Sequence, residues 1–314
     1  MLTLLGRRFG LLLAAVLIIL FSLELALRAY GFGKPLLYEA TPYGYRVKPD
    51  QHLQRFGNRL DYNREGMRSS EISARPTQGV LRVLCIGDSI TFGGVQTPQS
   101  ETYPAQIEQA LYRAGRQAEV LNASAGGWAL GNEWGWLQER GIFASDVVIF
   151  EVGLNDLFQM TSPPAVVDGH PSFPSRNPRF ALQEAVMRYV LPRLGMVDIT
   201  DPGARPGASP NDLLQGNLIT LKHMVEFARE RGGTVYVLSI EEPLFSGGSM
   251  PEMAAAYMRL EALLADLKVD LIRPMRALRE DEVHVIFRDG VHPTSVGNGL
   301  IGNVVARNIY HGAK

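Results

Sequence analysis

The sequence predicts an α/β protein with a parallel sheet covered on both faces and one apolar helix set apart at its N-terminus. Three observations carry this expectation. From residue 80 onward, short apolar runs alternate with segments of helical periodicity. Polar clusters recur where those runs end, and a nearly unbroken apolar stretch fills Phe9 to Leu27.

The apolar stretch comes first along the chain. It has about 19 residues, close to the ~20 that cross a hydrocarbon core as a helix, and only Ser22 and Glu24 interrupt it. Arg7 and Arg8 precede it, while Arg28 and Lys34 follow. That bias favours a cytoplasmic N-terminus and puts the remaining chain outside, periplasmic or extracellular. A cleaved signal peptide is the rival reading. Its apolar stretch is usually shorter and closes on a small-x-small site, which Leu25-Ala26-Leu27-Arg28-Ala29 matches poorly. Residues 1–29 are therefore expected as an uncleaved membrane anchor, ahead of a cleaved signal and, last, a buried helix of a soluble protein, with Glu24 near the outer end of the span, where a carboxylate reaches the interface.

Residues 30–78 are rich in Gly, Pro, Asn and Arg, and alternating pieces such as Tyr43-Gly44-Tyr45-Arg46-Val47 suggest a hairpin or extended strap. A spacer lifting the next domain off the membrane fits equally well. The domain itself is expected at 79–314. Val80 to Ile86 reads as a buried strand broken only by Arg82, and a helix follows with Pro104 in its first turn and Ile107, Leu111 and Ala114 on one face. Next come a strand at Ala118–Leu121, a helix at Leu130–Arg140 and a strand at Asp146–Val152. A helix over Asp212–Arg231, a strand at Thr234–Ile240, a helix at Met253–Leu267, a short strand at Val269–Ile272 and a helix at Ser295–Asn308 complete the alternation. Residues 158–211 break the rhythm with five prolines between Pro163 and Pro178, a short helix near Phe180–Val190 and a Pro/Gly-rich tail at 202–210. So long a connection after a strand end is expected as a lid, or else as a disordered loop.

Composition excludes several function classes. Net charge is -1 and no basic stripe is present, so no nucleic-acid partner is expected. Cys85 is the single cysteine and lies in an apolar run, which fits a buried small hydrophobe and allows no intrachain disulfide. His52, His170, His223, His284 and His311 show no metal-ligand spacing, and His284 is expected near a strand. Gly93-Gly94 lacks the lysine of a phosphate loop. No metal and no cofactor are expected. Arg279–Glu282 reads as a solvated charge run.

Ligands of doubly wound sheets bind beyond the carboxyl ends of the strands, so the polar residues there carry the chemistry. Those ends read Gly87-Asp88-Ser89-Ile90-Thr91, Asn122-Ala123-Ser124-Ala125-Gly126-Gly127 and Gly153-Leu154-Asn155-Asp156, and Asp289-Gly290-Val291-His292-Pro293 stands before the last helix. A nucleophilic serine needs a base and a group that orients the base. Ser89 supplies the hydroxyl, His292 the base, and Asp289 the orienting carboxylate three residues earlier. The oxyanion that forms needs donors aimed at one point, and the N–H of Ser89, the N–H of Gly127 and the side-chain amide of Asn155 are the candidates. Each piece alone reads as an ordinary turn or helix cap; all four in this order point to catalysis. A Gly-x-Ser-x-Gly elbow is absent, which argues against an α/β-hydrolase fold.

On these motifs, residues 80 to 312 resemble the GDSL-type, or SGNH, hydrolase superfamily, including its bacterial membrane-anchored members. The first block of that group resembles Ile86 to Thr91, with Ile90 where leucine is common; the others resemble Asn122–Gly127, Gly153–Asp156 and Asp289–His292. The resemblance implies a flavodoxin-like three-layer α/β/α sandwich and metal-free acyl-enzyme chemistry. Trp128 adjoins Gly127 and is a candidate for lining a substrate pocket, with core packing as the alternative. The expected substrate is a small-molecule or glycan ester, with removal of acetyl groups outside the cell favoured. An O-acyltransferase would use the same residues, and a non-catalytic anchored binding protein is the third reading. Oligomeric state is left open.

Overall fold

The structure is a computed structural model that describes residues 2–197, 209–240, 250–276 and 282–312. Helix α1 (Leu2–Ala29) leads into two antiparallel hairpins, β1 (Tyr38–Thr41) with β2 (Gly44–Val47) and β3 (Gln51–Arg55) with β4 (Asn58–Tyr62). The main unit then runs β5 (Leu81–Gly87), α2 (Ser89–Phe92), α3 (Tyr103–Arg113), β6 (Ala118–Ser124), α4 (Leu130–Arg140) and β7 (Val147–Glu151). After the long connection and its single turn α5 (Ala181–Ala185) come α6 (Pro210–Glu230), β8 (Thr234–Leu238), α7 (Met250–Leu267), β9 (Asp270–Ile272), α8 (Val283–Ile286) and α9 (Ser295–Gly312).

β5 to β9 form one parallel sheet in the order β6-β5-β7-β8-β9. Numbered within the sheet this is 2-1-3-4-5, the flavodoxin-like order, and its switch point lies between β5 and β7. The reason for a three-layer sandwich is visible in β5, where every residue is buried. Leu81, Val83 and Cys85 face one way and pack with Tyr103, Ile107 and Leu111 of α3 and Ile301 and Val305 of α9. Leu84 and Ile86 face the other and join Leu137 of α4 and Leu221 and Val225 of α6. Burying each such side chain contributes about 1.5–3 kcal/mol, and a strand covered on both faces collects this at every position. Arg82, the one polar residue in the run, is fully buried too. It pairs with Glu119 at 2.7 Å and donates to the carbonyls of Phe143 and Ser73, which satisfies its guanidinium.

Residues 30–72 pack on this unit. Tyr45, Leu60 and Tyr62 are fully buried, the Tyr45 hydroxyl donates to the carbonyl of Gly126, and the Trp128 indole donates to the carbonyl of Tyr45. Arg68 donates to the carbonyls of Phe92, Gly94 and Thr97, clasping the loop that follows α2. The connection after β7 leans on the hairpins: Phe173 packs on Tyr38 and Tyr45, and the Tyr38 N–H donates to the carbonyl of Pro174. The expected helix at Phe180–Val190 is α5 followed by a π-helical turn, Val186–Val190. Pro192 would clash with the carbonyl four residues back in a continuing α-helix, and the Leu191 N–H bonds the carbonyl of Val186 instead. Residues 202–208 of the Pro/Gly-rich tail and 279–281 of the charge run lie outside the described residues. His284, expected near a strand, lies in the single turn α8. An apolar run as short as Val283–Phe287 does not discriminate strand from helix by period.

α1 is long and apolar enough over Arg7–Ala29 to cross a membrane, and among the described residues its apolar window is not buried inside the protein. Glu24, near the outer end of the span, is engaged within the protein: its carboxylate accepts the N–H groups of Ala181 (2.8 Å) and Leu182 (2.9 Å) and the Arg28 guanidinium (2.7 Å).

Candidate active site

β6, β5 and β7 are adjacent and parallel, so the loops after them leave the same edge of the sheet. Gly87 closes β5 where there is no room for a side chain: a Cβ there would run into the Thr91 hydroxyl and lie 3.0 Å from Cβ of Glu151. The chain then turns at once into α2. Asp88 caps it, its carboxylate accepting the Ile90 N–H at 2.8 Å, and Gly93 ends it with φ +77°. This strand-turn-helix junction sets Ser89, partly exposed, in the first turn of α2 at the sheet edge.

The second half of the site comes from the loop between α8 and α9. A bridge between Phe287 and Pro293 and the bond from the Arg288 N–H to the His292 carbonyl (3.0 Å) pin its two ends together. Inside it, Oδ1 of Asp289 accepts the N–H groups of His292 (2.8 Å) and Val291 (3.2 Å), and Gly290 takes φ +85°. Oδ2 of Asp289 is left to meet Nδ1 of His292 at 2.9 Å, and Nε2 of His292 meets Oγ of Ser89 at 2.9 Å. Burial alone would raise the Asp289 pKa, but the hydrogen bonds from the His292 backbone and ring outweigh it and hold the carboxyl below its usual range. An ionised Asp289 accepts from Nδ1–H, which leaves the Nε2 lone pair facing the serine hydroxyl. Arg288 joins the two loops, donating to Oγ1 of Thr97 (3.2 Å) and to the carbonyl of Gly93 (3.4 Å).

Gly127 and Asn155 stand on the flanking loops. Gly127 has φ +75° three residues beyond β6, a conformation that favours glycine, and its carbonyl accepts the Ser162 hydroxyl at 2.6 Å. Asn155 is exposed just beyond β7, in a turn closed by the bond from the Phe158 N–H to its carbonyl. Trp128 does not line an open pocket. It is 1% exposed, its ring packs near Trp136 and Tyr43, and its indole N–H is spent on Tyr45.

Sequence reasoning missed a group of acids behind the serine. Asp88, Glu151 and Asp156 each present an oxygen within 4.8 Å of the others, and Glu133 of α4 is electrically coupled to Asp88 and Glu151. Glu133 and Glu151 are fully buried, and Glu151 meets Asp88 side chain to side chain. Burial first, then the Asp88 charge, pushes both carboxyls well above their usual range and favours their protonated forms. Asp88, Glu151 and Asp156 are also the residues that could hold a cation, in their ionised forms. The signal was present in the sequence, since all three sit at the ends of β5 and β7, but Glu133 joins them only through helix packing.

Solved structures with a similar course of chain include TesA (21% identity, TM-score 0.46, covering 73% of this chain and 97% of that one). An acetyl xylan esterase, AlAXEase, is similar at 16% identity (TM-score 0.46, covering 73% and 100%), and the psychrotrophic esterase EstA of Pseudoalteromonas sp. at 14% (TM-score 0.45, covering 74% and 98%). No curated protein sequence matches. The family model for GDSL-like lipases and acylhydrolases matches residues 85–300, from the middle of β5 to the first turns of α9. The chain therefore belongs to the GDSL-like lipase/acylhydrolase family and is an ester-bond hydrolase.

Proposed function

We propose that the chain is a membrane-tethered serine esterase that works through an acyl-enzyme on Ser89. The observation that carries this is the position of His292, 2.9 Å from Ser89 on one side and 2.9 Å from Asp289 on the other. Ser89 Oγ attacks the ester carbonyl as His292 Nε2 takes its proton, and Asp289 stabilises the imidazolium that results. The oxyanion is received by the N–H groups of Ser89 and Gly127 and the Asn155 amide; one such donor is worth about 10²–10³ in rate. His292 returns the proton to the departing alcohol. It then deprotonates a water, which attacks the acyl carbonyl, releases the acid and restores Ser89.

Anchorage by α1 puts the domain outside the membrane, where small acyl groups on glycans or related esters are accessible substrates; deacetylation is the preferred reaction. Among the described residues the relay lies open to solvent, with the Asp289 side chain 51% and the His292 side chain 30% exposed. Water reaches such a site freely, which favours hydrolysis over transfer to a sugar hydroxyl. The test compares the full-length protein in detergent with Ser89→Ala and His292→Ala on p-nitrophenyl acetate and longer esters. Equal turnover by all three sinks the assignment. Acetylated polysaccharide with and without a sugar acceptor then separates hydrolysis from transfer.

A further inference from the structure

Residues 179–196 carry an apolar surface that the rest of the protein leaves uncovered. Phe180, Met187, Val190, Leu194 and Met196 are all exposed. These residues are not on a free loop. The first turn of α5 is held to α1 by the Glu24 carboxylate, which accepts the Ala181 and Leu182 N–H groups, and by the Arg28 guanidinium, which donates to the Arg179 carbonyl at 3.0 Å. Just beyond α1, Glu184 accepts from the Gly33 N–H (2.7 Å) and pairs with the fully buried Arg55 (2.6 Å), which also donates to the carbonyls of Gly31 and Lys34. Phe32 meets Tyr189 edge-on at 5.5 Å. The segment and the foot of the helix are one packed unit.

Between them runs a groove of about 660 Å³, lined by Leu17, Leu20 and Phe21 of α1 and by Phe180, Val186 and Met187. Its depth is the informative quantity. The apolar span Arg7–Ala29 has 23 residues, roughly 34 Å at 1.5 Å per residue, against a hydrocarbon core of ~30 Å. Leu17 lies roughly 18 Å along the helix axis from Ala29, well inside that core when α1 spans it. Whatever carries the groove is carried to acyl depth with it. The charges agree: from 176 to 196 there are four arginines, Arg176, Arg179, Arg188 and Arg193, against the single Glu184, which Arg55 already neutralises.

We infer that residues 179–196 are a membrane-inserting platform, seated in the outer face of the bilayer beside α1, with lipid acyl chains in the groove and lipid phosphates on Arg176, Arg179 and Arg193. The inference rests on the proposed reading of α1 as a retained anchor. The apolar side chains enter by the same burial that drives interfacial helices into the headgroup and acyl boundary. Part of the segment expected as a lid thereby becomes a mounting: the domain sits on the bilayer through Glu24 and the Arg55–Glu184 pair and does not swing on a free tether.

The test uses the full-length chain in phosphatidylcholine vesicles containing phosphatidylglycerol. An environment-sensitive fluorophore is attached at Met187→Cys, Leu194→Cys, Ile18→Cys or Met258→Cys; the native Cys85 is fully buried and does not compete for the label. The expected result is blue-shifted emission at 187, 194 and 18, quenched by lipids spin-labelled on the acyl chain and not by aqueous iodide. Position 258, exposed on α7, gives the reverse. Lipid quenching at 18 with iodide quenching at 187 and 194 overturns the platform and leaves the anchor standing. Iodide quenching at 18 as well overturns the anchor reading and the platform together. Protection at 187 and 194 from both quenchers means that protein covers the patch, and this also overturns the inference.

Discussion

Replacing Asp289 with Asn tests the relay with little change of shape. The carboxylate now accepts two backbone N–H groups on Oδ1 and the ring Nδ1–H on Oδ2. Its charge faces the imidazolium across about 4 Å. That is worth roughly 1 kcal/mol in water and 4 kcal/mol near a protein surface, so a half-exposed Asp289 contributes about 2 kcal/mol. The amide adds a second cost whichever way it turns. With its NH₂ towards the ring, Nδ1 must accept, the proton moves to Nε2, and Nε2 then donates to Ser89 where it should accept. With its oxygen towards the ring, the NH₂ confronts the N–H groups of Val291 and His292, and two bonds worth about 1 kcal/mol each are lost. Either route brings the total to about 4 kcal/mol, or ~10³-fold in kcat/KM. The assay is kcat/KM for p-nitrophenyl acetate from pH 6 to 9, alongside the rate of fluorophosphonate labelling, which depends on the same proton transfer. Because Asp289 is held below the usual carboxylate range, it stays ionised throughout that window and the deficit persists across it. A variant with unchanged melting temperature and activity within about fivefold of the native protein would refute this account of the relay.

The same network of contacts makes three more outcomes measurable. Glu133 and Glu151 have folded pKa values raised above the ordinary 4.5, so their stabilisation is complete below that value and drains away as pH rises towards the folded pKa. Thermal melts from pH 5 to 8 should therefore lose stability at up to about 1.4 kcal/mol per pH unit per group, and Glu151→Gln should make the slope shallower; an unchanged slope means that Glu151 is already ionised in the fold, as it would be around a bound cation. Gly87→Ala places a methyl against Thr91 and Glu151, costing about 1–3 kcal/mol of stability and displacing Ser89 enough to lower kcat on the order of 10²-fold; steady-state kinetics and a melt measure both, and near-native turnover counts against the close approach. Arg55→Met strands the buried Glu184 and should cost about 3–5 kcal/mol in denaturant unfolding, while Arg55→Met with Glu184→Leu recovers most of it; equal losses in the single and double variants would show that the pair acts only through packing.

The periodic parts of the chain were readable because period and burial are locally coupled. Residues 81–87 are apolar at nearly every position, as only a strand covered on both faces requires, and α4 runs over the expected Leu130–Arg140. The residues of the proposed relay stand on short turns after β5 and before α9, where Asp88, Gly93 and Gly290 declare the local geometry in residue type. Trp128 was not readable in this way. A tryptophan beside the proposed oxyanion glycine faces either a pocket or the core, and the choice was made by Tyr45, 83 residues away in the chain.

The sequence by itself determined the alternation of strands and helices, the apolar span and the four polar strand ends, because each is written in the spacing of neighbouring residues. Only the tertiary structure decided that His292 meets a serine 203 positions earlier, that Glu133 joins the acids behind Ser89, and that residues 30–72 pack on the domain. It alone also seated the foot of α1 on α5 through Glu24. Those outcomes depend on which faces come to share a core and which buried charges find partners. Such choices are settled by excluded water and unmet hydrogen bonds across the whole fold, and no local pattern records them.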